Sequence, residues 1–338
     1  MRKISTKGDS SKKCAKKRYV FWWAALSLLI LGFAFFMWAK QPENLREVKD
    51  KIHHMTWEWQ SKEHGAYNAK SLLVIDRQSD DAFILKNEHK PLPPASLAKL
   101  FTVEYVSEQA DLKQKVKVTK AALSHVKKGS SVARLQAGET YTLQDLFAAM
   151  LVPSGNDAAY VVADYWGGVK HPKAKTSKER IALYLKDLNA YIQKQGWKNT
   201  HLYDPSGYDY EGTTTVSELK DVSDLLLKKK WFRKIVSQSN YAVTLSDGTQ
   251  KAWKNTNHFL NPKDPNYNPA VKGIKTGSLD QDFNIIVLFE KNHKEYLILS
   301  IGSQSDDSRY DDINYILKSI LSLPDWKKGD LRLQTTKV

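Results

Sequence analysis

The chain has 338 residues, of which 41% are hydrophobic and 26% charged, so its length and balance fit one large globular domain or two small ones. The net charge is +15, but eight lysines and arginines lie in residues 1–18 beside a single acid, and this tail holds about half of the excess. No basic cluster with interleaved aromatic residues follows residue 40, which argues against nucleic acid as a partner.

The first predicted element is a membrane-spanning helix at Tyr19–Ala39. This run carries no charged residue, and as a helix it would span about 31 Å, the thickness of a bilayer core. Tryptophans stand near both of its ends, where amphipathic rings favour the membrane interface. The cationic tail at 1–18 is expected to remain in the cytoplasm, which places everything after Lys40 outside the membrane.

The same segment could serve as a cleaved signal peptide, but two features favour an uncleaved anchor. The apolar run is long for a secretory signal, and its end, FFMWAKQ, lacks a small-x-small cleavage site. The only cysteine, Cys14, lies in the tail, so the exported part has neither a disulfide nor a cysteine-bound metal. The exported domain must therefore rest on its own hydrophobic core.

Residues 40–68 are polar and are predicted to form a stalk, residues 69–325 a folded domain, and residues 326–338 a short tail. Strand-like runs near both ends of the domain and helical periodicity between them predict an α+β fold, with an antiparallel sheet built from both ends and an inserted helical cluster. The predicted strands are Ser71–Asp76, Ala82–Leu85, Asn284–Phe289 and Tyr296–Ile301; the predicted helices are Leu97–Glu108, Leu143–Leu151, Ala158–Trp166, Lys178–Gln195, Ser217–Lys228 and Asp307–Leu321.

The first chemical motif, Ser96-Leu97-Ala98-Lys99, follows a proline-rich segment at the start of a predicted helix. Positions i and i+3 share a helix face, so the Lys99 amine can reach the Ser96 hydroxyl. A serine becomes a nucleophile when a neighbouring base takes its proton, and lysine is such a base when its pKa is depressed. Taken alone, the motif is also compatible with a helix-capping serine.

Two further motifs follow. Ser154-Gly155-Asn156 lies between two predicted helices, where it presents a hydroxyl and an amide, although it also suits an ordinary capping loop. Lys275-Thr276-Gly277, followed by Ser278, precedes the late strands. Here Gly277 lets the backbone approach a ligand, and the lysine and threonine are suited to hold a carboxylate.

The three motifs together, in this order, correspond to the signature S-x-x-K, S-D-N and K-T-G of penicillin-binding proteins and class A β-lactamases, with Ser-Gly-Asn as the second motif here. The sequence resembles the low-molecular-mass penicillin-binding proteins, the serine D-Ala-D-Ala carboxypeptidases, from about Ala69 to Leu321. The resemblance includes Pro94-Ala95-Ser96, Gly129-Ser130-Ser131, Leu151–Ala159, Trp197–His201, Asp204-Pro205-Ser206-Gly207, Asn255-Thr256-Asn257 and Gly273–Gly277.

The resemblance implies a role for each motif residue. Ser96 is acylated, Lys99 is its base, and Ser154 relays the proton to the leaving amine. Asn156 binds the peptide, while Lys275 and Thr276 bind its terminal carboxylate. Gly277 gives the ligand close access to the strand, and the backbone N–H groups of Ser96 and Ser278 form the oxyanion hole. The expected partners are a peptidoglycan stem peptide ending in D-Ala-D-Ala, β-lactams as covalent inhibitors and the bacterial cell membrane; no metal and no cofactor are expected.

Two departures from the family pattern stand out. The chain ends too soon after Lys275 for the second domain and C-terminal anchor of many members, and an N-terminal anchor is expected in their place. The segment after Ser278 also lacks the aromatic- and glycine-rich pattern of many relatives, which bears on substrate preference.

Three alternative functions share the motifs. A β-lactamase needs rapid deacylation, commonly through a glutamate in an E-x-x-L-N loop, and the nearest equivalent here has Leu185 in the glutamate position. A transpeptidase or D-alanyl esterase acting on another wall polymer would use the same residues. So would a wall sensor that binds penicillin without turnover.

Overall fold

A computed structural model of the chain describes Met37 and residues 67–322. Residues 67–322 belong to one compact unit. The predicted anchor Tyr19–Ala39, apart from Met37, and nearly all of the stalk lie outside the described residues. Within the described part, no helix is both long and apolar enough to cross a bilayer.

The strands of residues 67–322 form one large sheet and two small ones. In chain order they are β1 (Ser71–Asp76), β2 (Asp81–Lys86), β3 (Lys115–Lys117), β4 (Thr140–Thr142), β5 (Asn240–Thr244), β6 (Gln250–Lys254), β7 (Val271–Leu279), β8 (Asp282–Lys291) and β9 (Lys294–Ser303). The large sheet has the order β2-β1-β9-β8-β7, with every neighbouring pair antiparallel. The prediction of an antiparallel sheet assembled from both ends of the domain is confirmed.

The helices fill the chain between β2 and β7, with one more after β9. They are α1 (Lys99–Ser107), α2 (Lys120–Leu123), α3 (Leu143–Leu151), α4 (Asn156–Lys170), α5 (Ser177–Lys194), α6 (Val216–Leu227), α7 (Lys230–Val236) and α8 (Asp306–Ser322). A threonine starts four of them by accepting a backbone N–H in the first turn, namely Thr119, Thr142, Thr176 and Thr215.

Two hydrophobic cores lie on opposite faces of the large sheet. Successive side chains of a strand point to opposite faces, so β1 gives Leu73 to the core shared with the helical cluster and Leu72 to the core shared with α8. Both faces are therefore covered, and every residue of β1 is buried. Each fully buried leucine or isoleucine stabilises the fold by roughly 1.5–3 kcal/mol.

Several predicted boundaries differ from the structure. Helix α4 extends from Asn156 to Lys170, beyond both ends of the predicted helix Ala158–Trp166. The short strand pairs β3–β4 and β5–β6 were not predicted, because strands of three to five residues with exposed alternate positions carry little hydrophobic pattern.

Candidate active site

The site forms where strand β7 passes the segment that leads into α1. Strand β7 is an edge of the large sheet, and this segment, Pro93–Ser96, lies against it. A Cβ atom on Gly277 would lie 3.1 Å from the Pro94 carbonyl oxygen and 3.2 Å from the Ser96 nitrogen. Glycine at position 277 therefore allows the strand to approach the backbone of Ser96, and a larger residue would push the two apart.

Ser96 and Lys99 meet as the motif spacing predicts. Ser96 lies in a 3-10 turn, Ala95–Ala98, that continues directly into α1. The Lys99 Nζ atom is 2.8 Å from the Ser96 Oγ atom, and the Lys99 side chain is fully buried. The pair therefore has the geometry of a hydroxyl and the base that deprotonates it.

Two more oxygens surround the Lys99 amine. Its Nζ atom lies 2.8 Å from the Asn156 side-chain oxygen and 2.8 Å from the Ser206 carbonyl oxygen. Burial lowers the pKa of Lys99 to about 7, although the carboxylates of Asp204 and Asp157 act in the opposite direction. Near neutral pH a large fraction of Lys99 is therefore uncharged and able to accept a proton.

The Ser206 carbonyl is placed by a tight loop around Asp204. The Asp204 carboxylate accepts hydrogen bonds from the backbone N–H groups of Ser206, Gly207 and Asp209 at 2.6, 3.0 and 2.7 Å. Gly207 has a φ of +78°, and a Cβ atom there would lie 1.9 Å from the Ala95 carbonyl oxygen. The loop can therefore pack on the segment before Ser96 only with glycine at this position.

Ser154 and Asn156 lie at the turn between α3 and α4. Both are buried, and Ser154 has a φ of +64°. The backbone N–H of Asn156 donates to the Ser131 carbonyl, and the Asp157 carboxylate accepts from the backbone N–H groups of Ala133 and Leu135. These bonds fix the turn that directs the Asn156 side chain to Lys99.

The residues of the third motif follow one another along β7. Lys275 is buried, and its Nζ atom donates to the Thr276 carbonyl at 2.8 Å. Burial, with smaller contributions from the positive charges of Lys99 and Arg309, holds the pKa of Lys275 well below its usual range. The Thr276 and Thr256 hydroxyl oxygens are 2.6 Å apart, and the Ser278 side chain is exposed.

Arg309 is part of the site and was not predicted. It lies on α8, is buried, and donates to the Gly277 carbonyl at 3.0 Å and to the Ser278 hydroxyl at 3.2 Å. Arg309 lies in a charged helical turn and forms an ion pair with Asp306. The sequence around it therefore does not distinguish it from an exposed arginine on a helix surface. Its role depends on where α8 packs.

All the motif residues thus come to one place. Lys99 contacts both Ser96 and Asn156, Ser154 lies two residues before Asn156, and the adjacent strand edge is formed by Lys275, Thr276, Gly277 and Ser278. Among the described residues no group of three or more His, Cys, Asp or Glu side chains is arranged to hold a metal. An activated hydroxyl beside buried cations is suited to acyl transfer from a substrate with a free carboxylate.

Comparison with known proteins agrees with this geometry. The sequence profile of the family described as D-alanyl-D-alanine carboxypeptidase, peptidase S11, matches residues 58–301. The D-alanyl-D-alanine carboxypeptidase DacF of Bacillus subtilis (strain 168) is 28% identical over 220 residues, covering 63% of this chain and 51% of that protein. The D-alanyl-D-alanine carboxypeptidase of Streptomyces sp. (strain K15) is 31% identical over 192 residues, covering 54% of this chain and 62% of that protein. The matches thus span about half to three fifths of these relatives.

Solved structures share the fold. The crystal structure of the Streptomyces K15 DD-transpeptidase has a TM-score of 0.68 at 23% identity, covering 76% of this chain and 98% of that one. Penicillin-binding protein D2 from Listeria monocytogenes, in its ampicillin-bound form, has a TM-score of 0.59 at 23% identity, covering 74% and 96%. At this identity the likeness shows the architecture alone.

Proposed function

The chain belongs to the peptidase S11 family of D-alanyl-D-alanine carboxypeptidases, and from that membership we propose that it removes the terminal D-alanine of peptidoglycan stem peptides through an acyl-enzyme on Ser96. One observation carries the proposal. The Ser96 hydroxyl is 2.8 Å from the buried amine of Lys99, whose pKa is lowered to about 7, so nucleophile and base are paired and active near neutral pH.

In the first step, uncharged Lys99 takes the hydroxyl proton of Ser96 while the Oγ atom bonds to the carbonyl carbon of the penultimate D-alanine. Negative charge then develops on the carbonyl oxygen, where the backbone N–H groups of Ser96 and Ser278 are proposed to stabilise it. The passage of Gly277 beside the Ser96 nitrogen supports this pairing of the two N–H groups.

In the second step, the bond between the penultimate carbonyl carbon and the terminal D-alanine nitrogen breaks. The leaving nitrogen takes a proton that Ser154 passes on from Lys99, and free D-alanine departs. Water then attacks the ester, its proton passes through Lys99, and Ser96 regains its hydroxyl hydrogen while the shortened peptide leaves as a carboxylate. Asn156, already bonded to Lys99, is proposed to hold the substrate backbone.

The terminal carboxylate of the substrate is proposed to bind between Thr276 and the cations behind it. Lys275 precedes Thr276 on β7, Arg309 binds the Gly277 carbonyl, and both cations are buried. Within residues 67–322 no carboxylate lies within hydrogen-bond distance of Lys275. A substrate carboxylate would supply such a partner, and its charge would raise the pKa of Lys275 towards the usual range. This charge requirement favours a carboxypeptidase over an endopeptidase.

The proposal is tested with the purified full chain and a peptide ending in D-Ala-D-Ala. We expect release of one D-alanine per turnover and, with penicillin, one covalent adduct that peptide mapping places on Ser96. Ser96→Ala should abolish both and still fold, because a serine at the start of a helix contributes only about 1 kcal/mol. Penicillin adduct without D-alanine release would favour a non-catalytic sensor, rapid penicillin hydrolysis a β-lactamase, and an adduct on another residue would refute the acyl-enzyme.

We also propose that the protein is held in the bacterial cell membrane by Tyr19–Ala39 with residues 67–322 outside. The uncharged length of this segment and the cationic tail before it support this arrangement. Full-length protein should sediment with membranes and need detergent for release, and Cys14 in intact cells should resist a membrane-impermeant thiol reagent. Labelling of Cys14 from outside would reverse the topology, and a shortened mature protein would indicate signal cleavage.

A further inference from the structure

The segment Pro93–Ser96, here called the nucleophile loop, has a part-buried carbonyl at Pro93, a buried one at Pro94 and few donors of its own. Pro93 and Pro94 have no backbone N–H, so they cannot take part in a regular hydrogen-bonded pairing with β7. Their carbonyl oxygens nevertheless face the sheet, and buried backbone carbonyls require a hydrogen-bond partner. The Pro94 carbonyl also accepts the Leu97 N–H at 3.1 Å, and the partner that ties both carbonyls to the sheet is a side chain.

Asn284 on β8 provides it. Its side-chain NH₂ group donates to the Pro93 carbonyl oxygen and to the Pro94 carbonyl oxygen, each at 3.0 Å. Its side-chain oxygen accepts the backbone N–H of Gly302 on β9 at 2.8 Å. Asn284 is fully buried, so one amide joins the central strands of the sheet to the loop that carries the nucleophile.

The sheet register explains why this contact bears on Ser96. Asn284 is directly opposite Gly277 in the β7–β8 pairing, and opposed residues of an antiparallel pair share a face of the sheet. On that face Gly277 has no side chain, which leaves space for the nucleophile loop. The Asn284 amide extends into this space and donates hydrogen bonds to the loop. Both residues therefore set the distance between Ser96 and the edge of β7.

The loop also has a conformation that it would not hold unaided. Ala95 has a φ of +48°, a region that non-glycine residues avoid, and such strain persists only when surrounding contacts fix it. Gly207 packs on the Ala95 carbonyl, and Asn284 binds the carbonyls of the two preceding residues. Loss of the hydrogen bonds from the Asn284 side-chain amide would let the loop relax and shift the Ser96 Oγ atom.

We propose that Asn284 is a positioning residue for acylation: by binding the Pro93 and Pro94 carbonyls it holds Ser96 at the distance from β7 that the reaction requires. The inference rests on the proposed function, since it assigns Asn284 to the acyl-transfer step. Displacing a reacting group by about 1 Å can slow a reaction on the order of a hundredfold without preventing binding.

The experiment follows the acylation of the full chain by penicillin. It measures two quantities, the first-order acylation rate constant and the dissociation constant of the noncovalent complex that precedes acylation. Asn284→Asp keeps the shape but replaces the donating NH₂ by an oxygen, and Asn284→Leu removes all three hydrogen bonds. Each time course is normalised to the amount of protein that is acylated at long times, so that only folded protein contributes to the rate constant. D-alanine release is followed in parallel.

We expect both variants to acylate roughly ten- to a hundredfold more slowly, with the dissociation constant changed less than threefold. The ratio of Asn284→Asp to wild-type rate should rise as the pH falls, because a buried carboxyl between carbonyl oxygens has a raised pKa and donates a hydrogen bond once protonated. Asn284→Leu has no such group, so its ratio should not change with pH.

Asn189 offers a matched control. Its amide also bridges backbone groups, donating to the carbonyl oxygens of Leu185 and Leu202 at 3.1 and 2.8 Å and accepting from the Leu202 N–H at 2.9 Å, but it lies on α5. Asn189→Asp and Asn189→Leu should lower stability and leave the acylation rate constant unchanged.

Three results would overturn the assignment. They are wild-type rate constants in both Asn284 variants, equal losses in the Asn284 and Asn189 variants, and a loss confined to the dissociation constant. Wild-type protein that forms no adduct and releases no D-alanine would refute the proposed function itself. Normal wild-type turnover with unaffected Asn284 variants would refute only the positioning role.

Discussion

At the scale of single residues, the chemistry depends on two opposing effects on the pKa of Lys99. Two carboxylates, Asp204 and Asp157, favour its charged form, and complete burial favours the neutral form. Burial is the larger of these opposing effects, because the amine is completely enclosed, so the pKa of Lys99 is lowered to about 7. The site therefore contains an amine that is a base near neutral pH, which an exposed lysine is not.

The first prediction concerns the pH dependence of acylation. The rate constant for penicillin acylation of Ser96 should be low at pH 5 and rise with a midpoint near pH 7, because only deprotonated Lys99 accepts the hydroxyl proton. Lys99→Arg should reduce the rate constant at least a hundredfold at every pH, since a guanidinium stays protonated. Stopped-flow quenching or intact-mass time courses from pH 5 to pH 9 measure both.

A flat profile across pH 7 in the wild type, or rapid acylation of the arginine variant, would show that another group takes the proton.

The second prediction concerns Thr276, which pairs with Thr256 at the edge of β7. A charge-assisted hydrogen bond contributes roughly 1.5–3 kcal/mol, so a peptide with a free terminal carboxylate should turn over about ten- to a hundredfold better than its C-terminal amide. Thr276→Val should erase most of this difference, because it removes the hydroxyl with little change in shape. Parallel kcat/KM measurements on the two peptides give the ratio.

Thr244→Val, at an exposed position of β5, is the control and should keep the wild-type ratio. Equal turnover of acid and amide by the wild type would favour an esterase or an endopeptidase.

At the scale of elements, the site is a junction of three segments that pack on the start of α1. Strand β7 approaches through Gly277, strand β8 through Asn284, and the loop that begins at Asp204 through Gly207. Two of these three contacts require the absence of a side chain, and the third requires one amide. The geometry of Ser96 thus depends on residues that take no part in the chemistry.

The third prediction tests this junction. Gly207→Ala should lower the free energy of unfolding on the order of 4 kcal/mol or prevent folding, because its methyl group would lie 1.9 Å from the Ala95 carbonyl oxygen in a backbone conformation with φ of +78°. Gly248→Ala is the matched control, since Gly248 has a similar φ of +85° but open space around its Cβ position.

The control should lose only about 1–2 kcal/mol, the strain of a left-handed alanine. Urea unfolding of the two variants separates conformational strain from steric contact, and equal losses would contradict the packing of the loop on Ala95.

At the scale of the whole molecule, the large sheet joins the two ends of the described unit. Strand β1 lies beside β9, although more than two hundred residues separate them in the chain. Helix α8 completes this closure, because the Asp312 carboxylate accepts the backbone N–H groups of Asn68 and Ala69 at 3.1 and 3.0 Å and the Asn68 amide at 2.9 Å. The site-forming strands β7 and β8 depend on this same sheet.

The fourth prediction is that Asp312→Ala lowers the free energy of unfolding by about 2–3 kcal/mol, because it removes the acceptor of the buried Ala69 N–H and of the part-buried Asn68 N–H. The acylation rate constant per folded molecule should not change, since Asp312 contacts the start of the unit and not Ser96. Asp311→Ala on the exposed face of the same helix should change stability by less than about 0.5 kcal/mol. Thermal unfolding and penicillin labelling provide the two readouts.

Equal destabilisation by the two alanine variants would contradict the tie between α8 and Asn68.

Much of this protein follows from the sequence alone, because the relevant signals are local. Periodicity of apolar residues predicts the main helices and the strands at both ends, and the i, i+3 spacing of Ser96 and Lys99 predicts their contact. The three motifs together select the nucleophile, the polar turn and the strand that bears Lys275. Residue type and spacing suffice here because each motif carries its own chemistry.

Other features depend on the tertiary structure. The contact of Arg309 with Gly277 and that of Asn284 with Pro94 join residues far apart in the chain, so no local pattern marks either residue. The pKa of Lys99 was expected to be depressed, but its value near 7 results from complete burial set against two nearby carboxylates. Burial and long-range hydrogen bonding are properties of the packed chain, and they decide how the motif residues work because they set the charge and the position of each group.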